Sequence, residues 1–205
     1  MKIKISTASP DALNHDTLIL GFFSNERPPR GYCGLVDWRM NGMISTEIAR
    51  GRISGEFLEK VLYAFPRRIR VTRLLLFGLG TLPELTYDRL YSAGCAISQT
   101  VSGMQTEDLA LPMPAESRGN LKLSGMAEAM VTGLFDGFSS KPDELASIQI
   151  EIPVKEGHEE EVRTGLAQFQ QRIGAGGCTV LAEDPLPAEA PSGREKDKQH
   201  GNLFT

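Results

Sequence analysis

The chain has little of what a disulfide scaffold, a zinc hydrolase or a membrane protein requires. Its 205 residues include three cysteines and three histidines. Cys33, Cys95 and Cys178 are odd in number, lie far apart and form no CxxC pair, so they build no closed disulfide framework. They read as reduced thiols, in keeping with a cytoplasmic location. A nucleophilic Cys33 would need a base beside it, and the nearest histidine in sequence, His15, says nothing about proximity in space. His15, His158 and His200 stand in no HExxH or comparable ligand spacing, so no metal site is legible and no cofactor is implied. A G-x-S-x-G elbow is also missing. No apolar run reaches the roughly 18 residues of a membrane span. Residues Met1 to Ile5 alternate like a strand and hold no signal-peptide core. Lys and Arg number 22 against 26 Asp and Glu, a formal charge of -4, so no nucleic-acid partner is expected.

What is present is ordinary globular sequence, 40% hydrophobic and 23% charged. A chain of this length buries roughly 70% of the surface its unfolded form exposes. Period-two alternation from Lys2 to Ser6 predicts a half-exposed strand, and the continuous apolar run from Thr17 to Phe23 predicts one buried on both faces. Ser24 to Gly34, with Pro28, Pro29 and Gly31, reads as loop. Weak helical spacing follows from Leu35 to Ile48, interrupted by Gly42. Glu56 to Phe65 fits either a helical stripe or a short strand ending before Pro66. Arg70 to Gly78 is a buried strand running into Gly78-Leu79-Gly80. Thr86 is placed to cap a helix whose inward face is Leu90, Ala93, Ile97 and Val101.

The alternation then repeats. Leu109 to Pro112 is a short strand, and Leu123 to Leu134 carries a helical stripe. Ala146 to Val154 reads as a strand, His158 to Ile173 as a helix, and Cys178 to Ala182 as a last strand. Such alternation predicts an α/β fold, three layers α/β/α around a central sheet. From Pro185 apolar periodicity stops, so the expected division is a domain over 1–184 and a disordered tail over 185–205.

Two glycine turns are the candidate ligand site. Gly78, Leu79 and Gly80 stand between a strand and a helix, where backbone N–H groups can face an anion. The turn lacks the third glycine of a dinucleotide fingerprint and the Gly-Lys-Ser/Thr of a phosphate loop. Arg30-Gly31-Tyr32-Cys33-Gly34 is a second ligand-facing segment. The expectation is a ligand between Gly78-Leu79-Gly80 and the Gly31 to Gly34 loop. Tight turning and close packing explain the same glycines without a ligand. The basic stretch Arg67-Arg68-Ile69-Arg70 with Arg73 could meet phosphate, although such residues are more often the exposed approach to a buried strand.

In order and spacing these segments resemble the N-terminal domain of leucyl aminopeptidases, the cytosol aminopeptidase family. The resemblance rests on Asp16 to Gly21, on Gly34-Leu35-Val36-Asp37 with Asn41 to Ser45, on Leu74 to Gly80 running into Leu82-Pro83-Glu84-Leu85-Thr86, and on Gly133 to Lys141. It implies a macro-domain-like fold with a central mixed sheet, and a strand at Lys60 to Phe65. In that family the peptidase chemistry belongs to a C-terminal two-metal domain with an Asn-Thr-Asp-Ala-Glu-Gly-Arg segment, and this sequence holds no such segment. The implied function is a stand-alone, non-catalytic binding or regulatory module for a small anionic ligand or a protein partner. Two alternatives go with it. One is an ADP-ribose or nucleotide binder, as macro domains are, although Phe23-Ser24-Asn25-Glu26 and Gly31 to Gly34 replace the usual Asn-Ala-Ala-Asn segment and glycine triplet. The other is an accessory subunit of a separately encoded metallo-aminopeptidase.

Overall fold

Two apolar runs with no alternation, Thr17–Phe22 (β2) and Arg73–Gly78 (β4), pair in parallel at the heart of the sheet. A strand covered on both faces has no polar side to alternate with, which is why these runs are continuous. Around them the computed structural model, which describes residues 1–174 and 178–181, places five more strands. They are Lys2–Ser6 (β1), Lys60–Ala64 (β3), Asp108–Ala110 (β5), Gln149–Pro153 (β6) and Thr179–Leu181 (β7). The spatial order is β3-β4-β2-β5-β6-β1-β7. β3 runs antiparallel to β4 and every other pair is parallel, so the sheet is mixed.

Helices cover both faces. Gly31–Arg39 (α1) and Met43–Ala49 (α2) close one side over Leu18, Leu20, Phe22, Leu74 and Leu76. Tyr87–Met104 (α3), Leu123–Gly137 (α4) and Glu159–Ile173 (α6) close the other over Ile3, Ile5, Ile19, Leu75, Phe77 and Ile150. A short helix, Pro142–Ser147 (α5), leads into β6. Even and odd positions of β2 and β4 thus supply two separate cores. The architecture is the expected three-layer α/β/α sandwich.

Local differences have local causes. The segment read as loop to Gly34 becomes helical at Gly31, four residues before the expected start at Leu35. The weak helical stretch is two helices, broken at Gly42, whose left-handed φ of 75° is the N-cap of α2. The ambiguous segment is the edge strand β3, whose exposed and half-exposed positions alternate because only one face is covered. β5 ends two residues early, since Pro112 has no N–H to extend a ladder. Thr86 caps α3 as expected, its Oγ1 accepting from the Arg89 amide at 3.2 Å. The segment read as a disordered tail, 185–205, lies outside the described residues.

Candidate functional site

β2, β5 and β6 run parallel, so their carboxyl ends open on one edge of the sheet, where the following loops diverge. A cleft of about 210 Å³ lies there, lined by Leu20 and Gly21 of β2, by Arg30 to Cys33 at the start of α1, by Pro112 to Glu116 after β5, and by Arg118 and Lys155. The loop after β5 holds its shape against local cost. Ala115 and Ser117 both sit at left-handed φ, 57° and 60°, a region that residues with a Cβ rarely occupy. The two kinks bracket Glu116.

Glu116 is the most constrained polar group in the cleft, its side chain 2% exposed. Oε1 accepts from the Lys155 backbone amide at 2.9 Å and lies 2.6 Å from His158 Nδ1, tying the loop after β5 to the loop before α6. Oε2 is buried and has no hydrogen-bond partner among the described residues. The Tyr32 phenol stands beside this carboxylate. Burial first, and Glu116 second, raise its pKa well above the usual range, so the Tyr32 phenol stays neutral. Arg118 pairs with Glu26, lies over the Phe23 ring at 5.6 Å, and keeps a buried Nε without a partner. Gly31, at φ 60°, leaves room for that guanidinium: a Cβ there would stand 3.0 Å from its terminal nitrogen. The side chains of Arg30 and Lys155 line the cleft with no ion-pair or hydrogen-bond partner among the described residues.

Of the residues singled out in the sequence, Gly31 lines this cleft, together with its neighbours Arg30, Tyr32 and Cys33. Gly34 faces the Pro29 carbonyl instead, too close for any Cβ. The Gly78-Leu79-Gly80 turn stands at the end of β4, one strand away. Its three amides are all engaged: Gly78 N donates to Glu59 O, Leu79 N to Phe22 O and Gly80 N to Gly55 O, at 2.8, 3.0 and 2.9 Å. A side chain at Gly78 would collide with the Glu56 carbonyl. This turn therefore packs the lead-in to β3 against β4 and offers no free N–H to an anion. Cys33 is buried, and burial pushes its thiol up to about 12, which leaves it unreactive near neutral pH.

Sequence reasoning missed Glu116, Arg118 and Lys155; it placed His158 correctly at the start of a helix but gave it no part in a site. One signal was present. Pro112 and Pro114 stop a strand, and two charges follow before Gly119, a short polar turn after an apolar run. Among the described residues no group of three or more His, Cys, Asp or Glu side chains is arranged to hold a metal ion, and no helix is long and apolar enough to cross a membrane.

The fold defines a macrodomain-like α/β protein. The Oceanobacillus iheyensis macrodomain solved with ADP superposes with a TM-score of 0.66, at 8% identity, over 82% of this chain and 92% of that one. A tomato leucine aminopeptidase mutant superposes with a TM-score of 0.59 at 19% identity, over 84% of this chain and 37% of that one. At these identities the likeness is one of fold. Sequence narrows it: residues 19–141 match the model of the cytosol aminopeptidase family, N-terminal domain, and the chain belongs to that family. A probable cytosol aminopeptidase of Pseudomonas syringae pv. tomato is 27% identical over 137 residues, 67% of this chain. The chain spans 27% of that relative's length.

Proposed function

We propose that this chain is a non-catalytic binding module of the aminopeptidase N-terminal type, whose cleft at the ends of β2, β5 and β6 takes a small anionic ligand. The observation that carries this reading is the pair of cations, Arg30 and Lys155, that have no side-chain partner among the described residues, on a preformed cleft with apolar walls. Arg118, fixed by Glu26, adds a rigid guanidinium beside them. Cations without partners at the mouth of a concave site attract an anion and lose little on binding it, because no internal salt bridge has to break.

Thermal melting with inorganic phosphate, ADP and ADP-ribose tests it. A ligand at about 100 times its Kd adds roughly 2.7 kcal/mol, or roughly 5–10 °C in midpoint for a chain of this size. Arg30→Gln with Lys155→Gln, both on the surface of the cleft, should cancel the shift while leaving the free protein's midpoint unchanged. A shift that survives both substitutions places the anion elsewhere. A shift with ADP or ADP-ribose and none with phosphate makes the module a nucleotide binder, the structural relatives solved with ADP and with ADP-ribose lending that outcome its precedent. The non-catalytic half has its own assay. The purified chain should give no turnover of leucyl anilides with added manganese or zinc, and chelator-sensitive turnover that follows the protein through purification overturns it.

A further inference from the structure

The cleft makes a second demand, which a purely anionic ligand does not meet. Resting on the binding reading above, we infer that its ligand is a small zwitterion, an apolar α-amino acid whose ammonium group is received by Glu116 and whose carboxylate is held by Arg30 and Lys155. Glu116 Oε1 already has two donors, the Lys155 amide and His158 Nδ1. Oε2 has none, although its side chain is 98% buried by the 2% that remains exposed. A buried carboxylate oxygen left without a donor is costly and uncommon in a folded protein. A donor brought by a ligand removes that cost.

The sign of the donor follows from charge. A phosphate or a simple carboxylate placed among Arg30, Lys155 and Arg118 also meets Glu116, which has little water around it to screen the repulsion. An ammonium group turns that repulsion into a charge-assisted hydrogen bond. The walls decide the rest. Leu20, Leu35, Pro112, Met113 and Pro114 offer hydrocarbon to the body of the ligand. A volume of about 210 Å³ is below the roughly 300–1,000 Å³ of pockets that hold drug-sized molecules. In an α-amino acid the two charged groups share one carbon. That compactness matches a cleft in which the Lys155 backbone itself touches Glu116.

The experiment compares three probes of one shape on the whole chain: L-methionine, N-acetyl-L-methionine, which lacks the ammonium, and L-methioninamide, which lacks the carboxylate. Calorimetry and melting should show binding of L-methionine, with each derivative weaker by roughly tenfold or more, the worth of one charge-assisted hydrogen bond. Glu116→Gln should weaken L-methionine by a similar factor while sparing the acetylated probe. Arg30→Gln with Lys155→Gln should do the same for the contrast with the amide. If Glu116→Gln does not fold, the three probes on the unaltered chain decide alone. Equal binding of L-methionine and its acetylated form overturns the inference. So does stabilisation by phosphate or ADP, sensitive to Arg30 and Lys155, with none by L-methionine; the anion-binding reading then stands without it. Binding of L-methionine that ignores all three substitutions also overturns the inference, while the anion-binding reading is decided by its own phosphate and ADP arms. No binding of L-methionine, L-valine or L-phenylalanine likewise overturns the inference.

Discussion

His15 shows how one side chain can tie loops and strands together and make the fold sensitive to pH. Its Nδ1 lies 2.7 Å from Asp108 Oδ1 and its Nε2 lies 3.2 Å from Glu151 Oε2, with Lys4 and Ser6 also facing Glu151. Only the imidazolium donates from both nitrogens; the neutral ring would turn a lone pair toward a carboxylate. The hydrogen bond that His15 donates to Glu151 is the main cause that raises the His15 pKa above its ordinary 6.5, burial opposing it, and His15 in turn holds Glu151 below 4.5. The signs give a window. The His15 contribution is complete below 6.5 and fades as pH rises through the raised value, whereas that of Glu151 is complete above 4.5 and fades as pH falls through the lowered one. His15→Gln should therefore lower the melting midpoint at pH 6 and less at pH 9. An equal loss at both pH values would show that the ring acts by packing alone. None of this was legible beforehand, because the partners stand 93 and 136 residues away. The Glu116 cluster was hidden for the same reason, His158 being 42 residues from its carboxylate.

Elements were read well where burial writes a period, and poorly where packing chooses between periods. The α3 stripe and its Thr86 cap followed from spacing, and so did β2 and β4. From spacing alone β3 stayed open, since Phe57, Leu58, Val61, Leu62 and Phe65 satisfy a helix as well; the strand that the family resemblance implied at Lys60 to Phe65 is there, paired with β4. The α3–α4 contact explains a stretch that the sequence only allowed to be matched to a family. A Cβ at Gly133 would overlap the Tyr91 carbonyl, and one at Gly94 the Met130 carbonyl, so the two helices touch backbone to backbone. Gly133→Ala should destabilise even though alanine gains about 1 kcal/mol in helix propensity. Overpacking costs about 1–3 kcal/mol, and backbone obstacles cannot rotate away as side chains do, which puts this case at about 3 kcal/mol; the net loss should then be about 2 kcal/mol, or roughly 4–8 °C in midpoint. A variant melting at or above the parent would mean that the helices separate freely.

At the scale of the molecule, stability should fall from the middle of the sheet outward. β2 and β4 are buried on both faces, with Leu18, Ile19, Leu74 and Leu76 almost inaccessible. β3 and β7 are edges, and β3 leaves Leu62 half exposed. Native-state hydrogen exchange should find the slowest amides in β2 and β4 and the fastest strand amides in β3 and β7, because edge strands open without breaching either core. Edge amides as slow as those of β2 would mean that the sheet opens only as a whole. The two cores are separate because the sheet keeps α1 and α2 on one face and α3, α4 and α6 on the other.

The order of strands and helices, the two-sided burial of β2 and β4 and the α/β class follow from the chain itself, since burial on both faces removes alternation and burial on one imposes it. The site does not follow in the same way. Arg30 and Gly31 stood in a segment already suspected, but Glu116, Arg118 and Lys155 acquire meaning only when β5 and β6 pair in parallel and bring their loops together. Local sequence records which face of an element meets the core. Which polar ends meet each other is decided by strand order, and that is a property of the assembled sheet.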